Sequence, residues 1–227
     1  DVTVLLRGPS GSGKTTLARA IHANGPRALE PFVELNCAAL PDALLESELF
    51  GAEKGAHSTA DRRIDGKVVA AERGTLLLDE LGELPAASQA KLLTFLQSKT
   101  FYRLGSTKAE TADVRVIGAS HVDLGKAVEE RRFREDLYYR LAVLPIDLPS
   151  LDERREDIEP IAVSVLHRVA RRHALPALPL APSALALLEA SDWPGQVRQL
   201  ANVIEAWLIR AAGSGATRIE RQHVFPD

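Results

Sequence analysis

At 227 residues the chain holds one to two domains of roughly 150 residues, enough to bury a full core without disulfide or metal staples. Hydrophobic residues make up 45% and charged residues 26%, with a formal net charge of −3. That balance excludes a wholly disordered chain, a collagen-like chain, a disulfide scaffold and a strongly basic nucleic-acid binder. A single cysteine, Cys37, excludes an intrachain disulfide or a cysteine-rich zinc site and fits a reducing compartment. No apolar run approaches the ~20 residues of a membrane span, so a cytoplasmic protein without a membrane partner is expected. With no methionine, and with Asp1 leading straight into an apolar run, the chain is expected to be a fragment.

In chain order, residues 2–6 (VTVLL) are apolar and β-branched and predict a buried strand. A glycine-rich loop follows at 7–13, and a helix starts over 14–22. A second strand is expected at 32–35, and a helix at 40–50 with Pro41 near its first turn. Residues 51–66, rich in Gly, Ala, Ser, Thr and charge, predict an exposed loop. Strands are expected at 75–78 and 113–119, with an amphipathic helix at 86–97 between them. Strands alternating with helices imply βαβ units and a mostly parallel sheet. Composition shifts near Leu148-Pro149-Ser150, and helical stretches follow at 155–173, 182–190 and 196–212. In the last, Val197, Leu200, Ala201, Ile204, Leu208 and Ala211 follow the spacing of one buried face. The expectation is an α/β nucleotide-binding domain over 1–149 and a small all-helical domain over 150–227.

The loop reads Gly8-Pro9-Ser10-Gly11-Ser12-Gly13-Lys14-Thr15, which fits G-x-x-x-x-G-K-[ST], with Thr16 following. Phosphate oxygens need many donors at short range. Glycines let backbone N–H groups converge, and a helix N-terminus adds a positive field. Lys14 is expected to reach the β/γ-phosphates and Thr15 to ligate Mg²⁺. The strand ending Leu76-Leu77-Leu78-Asp79-Glu80 delivers two acids to its carboxyl end, where open α/β sheets bind ligands. Asp79 is expected to hold Mg²⁺ through water and Glu80 to polarise the attacking water. Together these predict a P-loop NTPase that takes a nucleoside triphosphate and Mg²⁺.

Beyond those motifs the chain resembles the AAA+ domain of bacterial sigma-54-dependent transcription activators. The resemblance rests on GPSGSGKTTLARAIH at 8–22, PFVELNCAALPDALLESELFGAEKGA at 31–56, GTLLLDELGELPAASQAKLLTFLQ at 74–97, FREDLYYRLAVLPIDLPSLDERREDI at 133–158 and WPGQVRQLANVIE at 193–205. It implies an AAA+ α/β domain with a helical lid, acting as a homo-oligomeric ring with nucleotide between subunits. It implies that Arg134 and Arg140 are arginine fingers reaching a neighbour's γ-phosphate, and that Arg198 is the lid arginine that reads nucleotide state in cis. Asn36 matches the asparagine that couples with Glu80, or is a strand-end amide satisfying local backbone. On a continuous helix Arg134 and Arg140 point about 120° apart, so a helix end or bend must lie between them if both reach one phosphate. Charge alone also allows an exposed helix with salt bridges among Arg131, Arg132, Arg134, Glu135 and Asp136.

Two stretches depart from the family pattern. The loop that engages sigma-54 reads GAFTGA in the family and Gly55-Ala56-His57-Ser58-Thr59-Ala60 here. Where the family has Thr-Asn after the third strong strand, this chain has Ser120-His121. Either the loop still engages sigma-54 RNA polymerase, or the domain uses its ATPase, or only nucleotide-driven assembly, for another regulatory task. Contact with DNA is expected only through a domain outside this chain.

Overall fold

The computed structural model describes residues 2–56 and 62–224. His57, Ser58, Thr59 and Ala60, named above as contacts for sigma-54, lie outside them. The described chain divides into two compact units, Asp1–Gly8 with Lys14–Leu148, and Pro9–Gly13 with Pro149–Asp227.

In the first unit the apolar runs alternate between two cores. Leu5, Leu76, Leu78 and Val116 enter one. Val4, Leu6, Leu77, Ile117 and Ala119 enter the other. Successive side chains of a strand point to opposite faces, so a strand apolar at every position belongs to a sheet covered on both sides. The order is β1 (Val4–Arg7), α1 (Lys14–Ala23), β2 (Phe32–Asn36), α2 (Asp42–Phe50), β3 (Gly51–Ala52), β4 (Ile64–Asp65), α3 (Lys67–Ala70), β5 (Thr75–Asp79), α4 (Ala86–Ser98), β6 (Thr100–Tyr102), β7 (Ala109–Thr111), β8 (Arg115–Ser120), α5 (Leu124–Glu129), α6 (Glu135–Leu141) and β9 (Leu144–Asp147). A five-stranded sheet runs β2-β5-β8-β1-β9, every pair parallel. On one face Ala18 of α1 packs with Leu17 and Ile21. On the other, α2, α4 and α6 contribute Leu45, Leu49, Leu92, Phe95, Leu137 and Leu141.

Register sets the carboxyl edge. Arg7 lies opposite Ser120, Leu78 opposite Gly118, and Asn36 opposite Asp79. The residues just past β1, β2, β5 and β8 therefore line one edge of the sheet, where open α/β sheets bind ligands.

The expected strand at 113–119 begins at Arg115 instead. The Asp113 carbonyl is spent outside the ladder, accepting from the Arg73 N–H at 2.8 Å and from Arg27 at 3.0 Å. The segment 51–66, expected as loop throughout, is bracketed by a stem: β3 and β4 pair antiparallel. The β6–β7 hairpin docks on that stem, with Leu104 N–H donating to the Gly51 carbonyl and Glu53 N–H to the Leu104 carbonyl. Arg103 locks the assembly. Its guanidinium is buried, forks onto Glu110 at 2.7 and 3.1 Å, and reaches the Ile64 carbonyl at 2.9 Å and Asp65 at 2.8 Å. Arg103 holds the Glu110 carboxyl below its usual range.

The second unit is helical: α7 (Ile158–His173), α8 (Pro182–Ala190), α9 (Gln196–Gly213) and α10 (Arg221–Val224). Its core joins Ile158, Val165, Val169, Leu188, Trp193, Leu200, Ile204 and Leu208. The stretch expected as one helix over 155–173 is broken. A 3-10 turn spans Asp152–Asp157 with Arg154 non-helical (φ −138°, ψ 55°), and α7 starts at Ile158. No helix among the described residues is long and apolar enough to cross a membrane.

Candidate active site

The loop after β1 and the turn after β5 carry the candidate chemistry. Gly8, Gly11 and Gly13 adopt φ of 147°, 82° and 107°, a region that side chains rarely enter. They let the chain turn sharply between β1 and α1. Lys14 is buried as the first residue of α1, and its ammonium donates to the Gly8 carbonyl at 2.8 Å. Thr15 Oγ1 donates to Asp79 Oδ2 at 3.4 Å, while Asp79 Oδ1 accepts the Glu80 N–H at 3.0 Å. Thr16 is exposed on α1. The structure thus brings Lys14, Thr15, Asp79 and Glu80 to one edge of the sheet.

Glu80 sits in the left-handed region (φ 56°, ψ 48°), and a 3-10 turn Leu81–Glu83 follows it. Such a conformation costs a non-glycine residue about 1 kcal/mol and needs support from its surroundings. Support comes from Leu81, which is fully buried over Gly118; a Cβ at Gly118 would lie 2.4 Å from the Leu81 side chain. The Glu80 carboxylate meets His121 Nδ1 just past β8.

Asn36 takes the local course that the sequence left open, with its side-chain oxygen accepting the Ala38 N–H at 2.8 Å. Ser120 is buried, and its hydroxyl is spent on Val122, donating to the carbonyl at 2.7 Å and accepting from the N–H at 3.0 Å. That hydroxyl shapes the chain end beyond β8 rather than facing outward. Cys37 lies beside the two acids, and burial, then the charges of Asp79 and Glu80, push its thiol up to about 12.

Arg134 and Arg140 fall on either side of a helix start. Arg134 caps α6 with extended backbone (φ −76°, ψ 133°), and Arg140 lies in its last turn. Arg134 pairs with Asp136 at 2.8 Å, and Arg140 donates to the Leu96 carbonyl at 3.1 Å. Arg132 pairs with Glu130. Both arginines are exposed. A helix start therefore lies between the two arginines, as the two-finger reading requires, and Arg134–Asp136 is an ion pair of the alternative.

Within the second unit, Arg198 of α9 is exposed and donates to Ser10 Oγ at 3.3 Å. A Cβ at Gly11 would lie 2.7 Å from the Gly195 carbonyl, so only glycine fits that approach. Arg154, which the motifs did not single out, donates to the Ser12 carbonyl at 2.7 Å. Ser12 Oγ is buried without a hydrogen-bond partner. Of the expected loop contacts, Gly55 (φ 82°) and Ala56 are described, and Ala56 lies against Gly105 of the β6–β7 hairpin.

A family model described as the sigma-54 interaction domain matches residues 1–147, and a model of the AAA+ ATPase lid domain matches residues 152–227. The chain belongs to the sigma-54 interaction domain family. Relatives of this family member include the transcriptional regulatory protein ZraR of Klebsiella oxytoca, 47% identical over 213 residues, covering 94% of this chain and 48% of that protein. The regulatory protein AtoC of Escherichia coli K12 is 47% identical over 213 residues, covering 94% and 46%. The chain spans about half the length of these curated relatives. Among solved structures, NtrX from Brucella abortus in complex with ADP superposes with a TM-score of 0.89 at 36% identity, covering 98% of this chain and 49% of that one. The Hsp104:casein complex of S. cerevisiae gives a TM-score of 0.72 at 19% identity over 94% of this chain and 41% of that one, a likeness of AAA+ fold alone.

Proposed function

We propose that this sigma-54 interaction domain hydrolyses ATP as a ring and uses the cycle to remodel sigma-54 RNA polymerase. The observation that carries the reading is the convergence of Lys14, Thr15, Asp79 and Glu80 at the carboxyl edge of the parallel sheet. The loop fits a triphosphate. Its three glycines adopt left-handed or extended positive φ, its Ser12 hydroxyl is buried without a partner, and a Cβ at Gly13 would meet nothing within 4 Å. NtrX, the structural relative, was solved with ADP and with ATP.

In this reading Lys14 exchanges the Gly8 carbonyl for phosphate oxygens. Gly8, Pro9, Ser10, Gly11, Ser12, Gly13 and Thr16 shape the phosphate cradle, and Thr15 and Asp79 supply the hard oxygen ligands that suit Mg²⁺. Bound Mg²⁺ neutralises charge on the phosphates. Glu80 accepts a proton from the attacking water. Arg134 and Arg140 supply guanidinium groups to the neighbouring subunit's nucleotide, where charge develops on the transferred phosphoryl group. Arg198 senses the nucleotide through the Ser10 end of the loop, and Asn36 and Ser120 adjust the edge beside Glu80. Residues 55–60 transmit the cycle to sigma-54.

Turnover tests the proposal. ATPase activity per subunit should rise with protein concentration and fall roughly 10²–10³-fold in Glu80→Gln with ADP binding retained. It should fall roughly 10³-fold in Arg134→Ala. Turnover that is independent of concentration and indifferent to Arg134 would overturn the ring. A second reading, a nucleotide-dependent assembly module with little turnover, is favoured by the engagement of Glu80 with His121. It predicts concentration-dependent assembly with ATP but no hydrolysis even at high concentration.

A further inference from the structure

Among the described residues, the buried amide of Gln89 is left unused by the motifs. Gln89 lies on α4, on the same face as the buried Leu92, Phe95 and Leu96, and is 1% exposed. A polar group in that position must be hydrogen-bonded or cost stability. Its amide nitrogen donates to the Leu84 carbonyl at 2.8 Å and to the Arg132 carbonyl at 3.0 Å, and its amide oxygen accepts the Arg134 N–H at 2.9 Å. The orientation is fixed by the partners. Turned over, the amide would set its oxygen against two carbonyls and its NH₂ against an N–H.

The two ends of this bridge matter. Leu84 closes the 3-10 turn that begins at Glu80. Arg132 and Arg134 flank Phe133, which is buried, in the turn between α5 and α6. That turn is itself tight. Arg131 is left-handed (φ 58°), and the N–H groups of Arg132 and Phe133 both fold back on the Ala127 carbonyl. The Arg134 side chain is exposed and, among the described residues, bonds to its near neighbour Asp136, so its aim depends on where its backbone is held.

We propose that Gln89 is a positioning residue for catalysis in trans: it holds the backbone of Arg134 at the angle needed to serve the neighbouring subunit's nucleotide, and ties it to the turn that carries Glu80. The proposal rests on the ring reading above. It predicts a division of labour. Gln89 acts on the site of the next subunit, not on nucleotide binding by its own subunit.

The test measures single-turnover ATP hydrolysis by the full chain for wild type, Gln89→Leu, Gln89→Glu and Arg134→Ala, each alone and mixed with Glu80→Gln chains. Gln89→Leu removes all three bonds. Gln89→Glu keeps an acceptor for the Arg134 N–H and loses both donors, and it carries the test if leucine prevents folding as judged by ADP binding. Alone, Gln89→Leu should lose about 10- to 100-fold in rate, in the direction of Arg134→Ala, with ADP affinity within about twofold of wild type. Mixed with Glu80→Gln chains, which retain a well-held Arg134, hydrolysis at the Gln89→Leu sites should recover, as it should for Arg134→Ala. A general structural defect would not recover by mixing. A wild-type rate for Gln89→Leu, or a loss that mixing fails to restore while Arg134→Ala is restored, would overturn the proposal. A wild-type rate for Arg134→Ala would overturn the ring reading and the proposal with it, and so separates the two failures.

Discussion

Cys37 ties the environment of the two acids to a solution measurement. Its N–H donates to the Asp79 carbonyl and its thiol is buried beside the carboxylates. In the folded chain the thiol is pushed up to about 12, whereas an unfolded thiol ionises near ~8.5. A raised folded value means that the folded state holds the proton more tightly. The stability it contributes is fully present below about pH 8.5 and is lost as pH climbs toward 12. Melting temperatures at pH 7, 9 and 10.5 should therefore fall more steeply at the alkaline end for wild type than for Cys37→Ala, and equal slopes would contradict the assignment. Lys14, Thr15, Asp79 and Glu80 stood out in the sequence because phosphate and metal chemistry demand those residue types at those spacings. The sequence did not anticipate that Glu80 rests against His121, because residues far apart in sequence meet only through the β5–β8 register. Gln89 carried a visible signal, a polar side chain within the apolar stripe of α4, but its partners lie in two turns that no periodicity describes.

Elements with a strong period were legible, and those held by a few specific bonds were not. The apolar runs at 2–6, 75–78 and 113–119 read as strands, and their alternation with helices implied a mostly parallel sheet. The β6–β7 hairpin has strands of three residues and little alternation, and it is fastened by a single core residue, Phe101, and by Arg103. Arg103 joins Glu110 of β7 to Asp65 and the Ile64 carbonyl of β4, so its role emerges only after the stem has formed. Because its acidic partners remain partly exposed, Arg103→Met should cost about 2 kcal/mol, less than the ~3–5 kcal/mol of a fully buried pair, or roughly 4–8 °C in Tm. Limited proteolysis should then cut within 53–63 faster while ADP binding is unchanged. An unchanged Tm would show that the guanidinium does not hold the stem. Gly118→Val tests the support of the Glu80 turn in the same way. Crowding Leu81 should lower turnover about tenfold or more without abolishing ADP binding, and a wild-type rate would show that Leu81 does not set the Glu80 geometry.

For the molecule as a whole, membership of the sigma-54 interaction domain family was legible because agreement with the family runs through long ungapped stretches in both units. The partner surfaces were not legible in the same way. Arg134 and Arg140 are exposed in a single chain, and His57 to Ala60, through which contact with sigma-54 is proposed, lie outside the described residues. The account stands or falls on that contact. The direct measurement is sigma-54 binding in the presence of ADP and a metal fluoride, which mimics the transferring phosphate, with wild type beside Lys14→Ala and His57→Phe. The account predicts a stable complex with wild type that is lost in Lys14→Ala. A complex formed only by His57→Phe, or one indifferent to Lys14→Ala, would contradict it and place the work of this domain on a different target.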